Sequence, residues 1–167
     1  MRRTLRITAV CVGLATACGG GGGGGDEGRA AFQAALQGSW NGCVPLGANS
    51  STAVTFVISD LNFSVTPVGY GTPDCTGQGQ QLPVQSGTIK IGSPVTAQLN
   101  AQSVTAYQVD QTITSPANAA GTTYTLAYVD AASAPNRLYM GDTSGANDGS
   151  TAAKRPTTLA PFYFEKE

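Results

Sequence analysis

The chain has 167 residues, 41% of them hydrophobic, with nine basic and ten acidic side chains and no histidine. A formal net charge of −1 provides no electrostatic footprint for nucleic-acid binding, so we expect no nucleic-acid partner. The lack of histidine in this sequence excludes Ser–His–Asp and Cys–His nucleophilic catalysis by its own residues.

The first 17 residues, MRRTLRITAVCVGLATA, are typical of an exported protein. Arg2, Arg3 and Arg6 form a basic start, and residues 7–17 form an apolar stretch. This stretch has the length of a signal-peptide core and is too short to span a bilayer core about 30 Å thick. We therefore predict that residues 1–17 are a signal peptide.

Small residues lead directly into a cysteine at the end of this segment. Ala15, Thr16 and Ala17 precede Cys18, and this arrangement resembles the lipobox of bacterial lipoproteins. The resemblance implies cleavage before Cys18, addition of a diacylglycerol to its thiol, and acylation of the new N-terminus. Leu14 lies four places before the cysteine, whereas the commonest lipobox has leucine three places before it. The alternative is an ordinary secretory signal that leaves a free thiol.

A run of glycines, residues 19–25, follows Cys18. Glycine-rich chains are flexible coils, so residues 18–27 are predicted to tether a folded domain, residues 28–167, to the lipid bilayer. After cleavage, six basic groups would face ten acidic ones, a net charge of −4, so attachment would be covalent rather than electrostatic. The expected location is the bacterial cell envelope, and Gly19, rather than an aspartate, after the cysteine favours the outer membrane.

Two further cysteines, Cys43 and Cys75, belong to the predicted folded domain. Disulfides form and persist in exported proteins, so we predict a disulfide between these two residues. Closing this loop should stabilise the fold by roughly 3–4 kcal/mol. Two buried free thiols are the alternative. A metal site built from two cysteines and no histidine is disfavoured, and we expect neither a metal nor a cofactor.

Residues 26–37 predict one short helix, after which the pattern changes to that of strands. Phe32 and Leu36 fall at helical spacing, and Gly38 ends the segment. Eight alternating segments follow, bounded by turn-forming residues: one near Trp40, then residues 52–59, 61–66, 86–92, 103–114, 122–129, 137–141 and 160–166. The predicted class is all-β, either a sandwich or a small closed barrel.

A Gly-x-Trp, formed by Gly38 and Trp40, opens the first predicted strand. It resembles the entry to lipocalins and other calycin-type barrels, including lipocalin-like bacterial lipoproteins. The resemblance implies an eight-stranded antiparallel up-and-down barrel with one short N-terminal helix, closed at the bottom by Trp40. It also implies a late basic residue stacked on the indole, either Arg137 or Arg155. The alternative is a β-sandwich with Trp40 as an ordinary core residue.

The interior of an eight-stranded barrel is either filled by side chains or holds one small ligand. We expect a small hydrophobic ligand, bound by the bulky residues Trp40, Phe56, Phe63, Tyr107, Tyr124, Tyr128 and Tyr139. The chain is also similar to bacterial metalloprotease inhibitors, which block a protease with an N-terminal segment. That segment would be residues 26–37, and its helical pattern and tether count against this alternative.

Catalysis by paired carboxylates is the remaining enzymatic hypothesis, and we expect that the protein is not an enzyme. The aspartates fall mostly at strand ends and in turns, where this residue is favoured by turn geometry: Asp60, Asp74, Asp110, Asp130, Asp142 and Asp148. Residues 141–150 hold Asp142, Ser144, Asn147 and Asp148 close together. Their spacing does not match an EF-hand loop, so we interpret this segment as a connector.

Overall fold

The computed structural model describes residues 24–167, so the predicted signal peptide and Cys18 lie outside the described residues. A single α-helix comes first in this part of the chain, and strands follow. The elements are α1 Gly24–Leu36, β1 Gly38–Gly47, β2 Ser50–Ser59, β3 Asn62–Tyr70, β4 Gln80–Gln81, β5 Gln85–Leu99, β6 Gln102–Ser115, β7 Gly121–Asp130, β8 Arg137–Met140 and β9 Phe164–Lys166. Among the described residues, no helix is both long and apolar enough to cross a membrane.

The strands close into a ring. Its order is β2-β1-β9-β8-β7-β6-β5-β3, and β3 pairs back onto β2. All of these pairings are antiparallel, and the short β4 adds only to the far end of β3. The eight predicted strands are therefore present, and the prediction of an eight-stranded up-and-down barrel is confirmed. Closure removes the open sheet edges that a sandwich would have to protect.

The pairing of the first and last strands is the long-range contact that closes the ring. Trp40 lies opposite Lys166, and Asn41 lies opposite Glu165. The sequence predicted this pairing from the requirement for closure, and it is confirmed. β5 is longer than predicted: it continues through Pro94 to Leu99, with a register shift between Ile91 and Pro94. The proline at this irregular position masked the second half of the strand.

Helix α1 lies across one end of the ring. It buries Phe32 and Leu36, and the Phe32 ring stacks on Tyr107 of β6 with 4.3 Å between ring centroids. The helix begins at Gly24, so the last four residues of the predicted tether are helical. It ends before Gly38, whose φ of +116° is a conformation that glycine adopts at little cost.

The core divides into two clusters on opposite faces of the sheet. The first lies inside the ring next to the helix: Phe32, Leu36, Trp40, Phe56, Ile58, Phe63, Ile89, Ile91, Val109, Ala127, Leu138 and Phe164. The second contains Ala97, Ala106, Leu126, Tyr139 and Leu159. Because side chains alternate between the two faces of a strand, the second cluster lies outside the ring. The segment between β8 and β9 covers it, through bridges of Leu159 to Gly141 and of Thr158 to Gln98.

Candidate functional site

The ring contains a cavity of about 280 Å³ at the end away from the helix. Along β6, Tyr107 packs under the helix, Val109 lies in the core, and Gln111 and Ile113 line the cavity. The inner positions therefore change from filled to hollow along the strand. The cavity is open to solvent at the second end of the ring, whereas the helix covers the first.

One wall of the cavity is apolar and comes from β1, β2 and β3. The inward side chains there are Val44, Val54, Phe56, Phe63 and Val65. The rings of Phe56 and Phe63 meet edge to face with 5.7 Å between centroids, a favourable arrangement for aromatic pairs. The alternating sequence TAVTFVIS places these residues inward, and Val57, which follows Phe56, is 40% exposed on the outer face.

The other wall, from β5, β6 and β7, is uncharged and, apart from Ile113, polar. It presents Gln85, Gln111, Thr123 and Thr125 to the cavity. Gln111 and Thr123 are direct cross-strand neighbours. The buried Thr125 is already satisfied, because its Oγ1 accepts a hydrogen bond from the Gly141 amide at 3.2 Å. This wall can therefore donate and accept hydrogen bonds inside the ring.

Ionisable groups lie outside the cavity: within residues 24–167, no acidic or basic side chain lines it. Among the described residues, the least exposed ion pair joins Arg155 to Asp110 at 2.6 Å. Arg155 also donates to the carbonyls of Val109 at 2.8 Å and Thr125 at 2.7 Å. Asp110 alternates with the cavity-lining Gln111, so this pair is on the outer face of β6, where Arg155 fastens the segment between β8 and β9. The cavity is suited to binding by shape and hydrogen bonds rather than to proton transfer.

The closed end of the ring is built around Trp40, which is fully buried. Its indole N–H donates to the Leu36 carbonyl at 2.9 Å. Lys166 lies above the ring, with Nζ 5.1 Å from the centroid, and donates to the Ala35 carbonyl at 3.1 Å. Both side chains therefore satisfy carbonyls at the end of α1, where a positive charge also suits the helix dipole.

The prediction that an arginine stacks on Trp40 is wrong. Arg155 lies 5.4 Å from the Tyr124 centroid, and Arg137 lies 4.2 Å from the Tyr163 centroid. Lys166 takes the position because the register of β1 and β9 sets it opposite Trp40. Lys166 also donates to the Ala35 carbonyl at the helix end.

Four of the seven predicted ligand-binding residues are inside the ring, and two of these line the cavity. Phe56 and Phe63 contact it. Trp40 and Tyr107 face inward but pack beneath it, at the helix end. Most of the lining, including Val54 and the polar wall, was not predicted from the sequence. The inward position of Gln111 could have been predicted, because in an alternating strand it lies on the same face as Tyr107, Val109 and Ile113.

The remaining three predicted residues, Tyr124, Tyr128 and Tyr139, lie on the outer face of the ring. Tyr124 stands between the cavity-lining Thr123 and Thr125 and therefore points outward. Tyr128 and Tyr139 pack in the outer cluster, with 6.1 Å between ring centroids. Burial, followed by the charge of Asp130, raises the pKa of Tyr128 above its ordinary value. These tyrosines anchor the covering segment and are not available to a ligand in the cavity.

The predicted disulfide between Cys43 and Cys75 is confirmed, with 6.0 Å between the Cα atoms. It ties β1 to the loop that leaves β3. The Cys75 amide donates to Ser51 Oγ at 2.9 Å, and that hydroxyl donates to the Thr72 carbonyl at 2.7 Å. The bridge therefore fixes this loop against β1 and β2 near the open end of the ring.

The aspartates of the longest connector close local turns. Asp142 Oδ1 accepts from the Ser144 amide at 2.9 Å, and Asp148 Oδ1 accepts from the Ser150 amide at 3.0 Å. The same serines hold the pKa of each carboxyl below its ordinary value. In the described part of the chain, no group of three or more His, Cys, Asp or Glu side chains is arranged to hold a metal ion.

Comparison with known proteins found no matching family model, no matching curated protein and no matching solved structure. We therefore infer a function from the sequence and from the geometry of the ring.

Proposed function

We propose that this protein is a lipid-anchored protein of the bacterial cell envelope, similar to lipocalin-like lipoproteins, and that its ring binds a small hydrophobic ligand. The cavity of about 280 Å³ is the observation that carries the binding role. A dry protein cavity of about 150 Å³ holds benzene. By the same proportion, this cavity would accept a ligand of roughly a dozen non-hydrogen atoms.

The two ends of the ring support a single route for the ligand. Trp40 and α1 cover one end, where Leu36 is 1% exposed and Trp40 is fully buried. The other end opens to solvent beside Val44 and Val54. A ligand would enter there and displace water from an apolar wall, which is favourable in proportion to the apolar area covered.

The packing of α1 against the ring disfavours the alternative role as a protease inhibitor. An inhibitory N-terminal segment would have to project from the ring to reach a protease. Phe32 stacks on Tyr107, and Lys166 donates to the carbonyl of Ala35 near the helix end. Residues 26–37 are therefore engaged with the ring, and their release would expose Phe32 and Leu36, which are buried.

The anchor proposal rests on the sequence around Cys18, and the fold is compatible with it. Gly24, where α1 begins, is six positions after Cys18. Six residues span at most roughly 20 Å, so an acylated Cys18 would hold the helix end of the ring near a bilayer. Because the cavity opens at the other end, its mouth would face away from that surface, which we propose to be the outer membrane in a bacterium that has one.

The binding proposal is tested by filling the cavity from one strand. Val54→Trp places an indole in the cavity, and Val57→Trp places the same group on the outer face three residues away. We expect the wild type and Val57→Trp to bind the fluorescent probe 1-naphthylamine, whose size matches a cavity for roughly a dozen non-hydrogen atoms. Val54→Trp should bind it at least about tenfold more weakly, since it occupies the same space.

Far-UV circular dichroism provides the control for folding, because both variants should retain the spectrum of the wild type. Equal probe affinity in Val54→Trp and wild type would show that the cavity is not the binding site. A wild-type protein that binds no apolar probe would contradict the proposed function itself.

A further inference from the structure

The cavity has two chemically different walls: Gln111 of β6 lies across the ring from β1, whereas Gln85 of β5 lies beside Val65 on the neighbouring strand. Val54, Phe56 and Val65 belong to the apolar wall, and Gln85 and Gln111 belong to the polar one. A ligand that satisfied both walls would be amphiphilic. An entirely apolar ligand would cover amide groups and remove them from water, which carries a free-energy cost when no hydrogen bond replaces the water.

The amides of the polar wall are free to bind a ligand. Within residues 24–167, the glutamine side chains that form hydrogen bonds are those of Gln37, Gln81 and Gln98. Gln85 and Gln111 are therefore not committed to a protein partner. A glutamine amide has an acceptor oxygen and two N–H donors, so it can bind a hydroxyl, an ester or an amide.

The position of Gln111 is the most specific feature of this wall. It takes an inward place on β6 between Val109, which is 1% exposed, and Ile113, which also lines the cavity. An apolar residue would continue this inward row. Thr123 lies directly opposite on β7, so two uncommitted polar side chains, on neighbouring strands, face the same part of the cavity.

The uncharged lining of the cavity disfavours amphiphiles that carry a charged group. Among the residues that the structure describes, no basic or acidic group lines the cavity, and Arg155 is held on the outer face by Asp110. A carboxylate entering the cavity would lose its hydration without gaining a counter-ion. Burial of an unpaired charge is much more costly than burial of a hydrogen-bonded neutral group.

We propose that the ligand is a neutral amphiphile, with its tail against the valine and phenylalanine wall and its hydroxyl, ester or amide group on Gln111. This inference rests on the proposed binding function and adds the chemical class of the ligand. Gln111 is the residue that determines specificity.

The test compares 1-decanol with decanoate, which share a ten-carbon chain and differ in charge at pH 7. The displacement of 1-naphthylamine from the purified full-length protein measures the affinity of each compound. We expect 1-decanol to bind at least about tenfold more tightly than decanoate. Gln111→Met should weaken 1-decanol roughly two- to tenfold, the value of one hydrogen bond. The control Gln108→Met changes a glutamine on the outer face of the same strand and should leave the affinity unchanged.

The outcomes separate this inference from the proposed function. If the naphthylamine binds but decanoate competes as well as 1-decanol, the cavity does not select neutral ligands and the inference is overturned. It is also overturned if Gln111→Met affects 1-decanol no more than Gln108→Met. If neither the probe nor 1-decanol binds, the proposed binding function fails as well.

Discussion

Trp40 connects the helix to the ring, and its removal gives the largest change in stability that the structure predicts. The side chain is fully buried. An aromatic side chain buries roughly 200 Å², which at about 25 cal/mol/Å² corresponds to about 5 kcal/mol. Measured truncations of this kind cost about 3–5 kcal/mol. We expect Trp40→Ala to lower the free energy of unfolding by that amount, a large part of the total for a domain of this size.

Milder substitutions separate the contributions of the indole hydrogen bond and of the Lys166 contact to the free energy of unfolding. Trp40→Phe keeps an aromatic ring but leaves the Leu36 carbonyl without its indole donor, so we expect a loss of roughly 1.5–3 kcal/mol. Lys166→Met removes both the charge above the ring and the hydrogen bond to Ala35. Since Lys166 is partly exposed, we expect a smaller loss of roughly 1–2 kcal/mol. The two changes should be coupled by about 0.5–1 kcal/mol, because both alter the contact between the Lys166 ammonium and the aromatic ring at position 40.

Urea unfolding followed by far-UV circular dichroism measures all of these variants, since it does not depend on tryptophan fluorescence. Lys154→Met is the matched control: its ion pair with Asp148 is 3.8 Å long and about half-exposed, so we expect a change within about 0.5 kcal/mol. The account of the closed end would be refuted if Trp40→Ala cost less than about 1 kcal/mol, or if Lys166→Met and Lys154→Met were equivalent.

Three further predictions concern the anchor, the disulfide and one turn. Cys18→Ser should move the protein from the membrane to the soluble fraction, while Cys43→Ser/Cys75→Ser should remain membrane-bound; a membrane-bound Cys18→Ser variant would contradict lipidation. The double variant should unfold with roughly 3–4 kcal/mol less free energy, and an unchanged urea midpoint would contradict a structural role. The Ser133 hydroxyl holds the pKa of Asp130 below its ordinary value, so Ser133→Ala should reduce the stability of the fold above about pH 4. The difference from wild type should disappear as the pH falls through the lowered pKa. NMR titration of Asp130 should show that its pKa is higher in the variant.

The closed ring was predictable because closure has a clear pattern in the sequence. Alternating segments marked every long strand, and Gly38 and Trp40 marked the first of them. The requirement that no sheet edge stay open then paired the first strand with the last. The Cys43–Cys75 bridge followed from the two cysteines remaining in a domain predicted to be exported.

The inner face of β7 was not predictable from the same alternation. In its sequence TTYTLAYV the bulky side chains fall in one phase and the smaller ones in the other, and both faces of the strand are covered. Ala127 and Val129 pack inside, whereas Leu126 and Tyr128 pack beneath the segment that leads to β9. The larger side chains are on the outer face. Taking the bulkier set as the inward face therefore selected tyrosines that point outward.

The cation above Trp40 could not be predicted because it depends on register. Four basic residues lie late in the chain, namely Arg137, Lys154, Arg155 and Lys166. Only the pairing of β1 with β9 places Lys166 opposite Trp40. A shift by one residue would have turned Lys166 to the other face of the sheet, and no local feature of the sequence excludes that shift.

The size of the inward side chains explains why the ring is solid at one end and hollow at the other. Near the helix, Trp40, Ile58 and Leu138 fill the interior. Further along β1, the inward positions pass to Gly42, over which the Phe164 ring packs so closely that a Cβ would lie 2.6 Å from it, and then to Val44 at the cavity. Large residues at one end thus supply stability and smaller ones at the other leave space. Substitutions at Trp40 should therefore change unfolding, whereas Val54→Trp should change ligand binding while the ring remains folded.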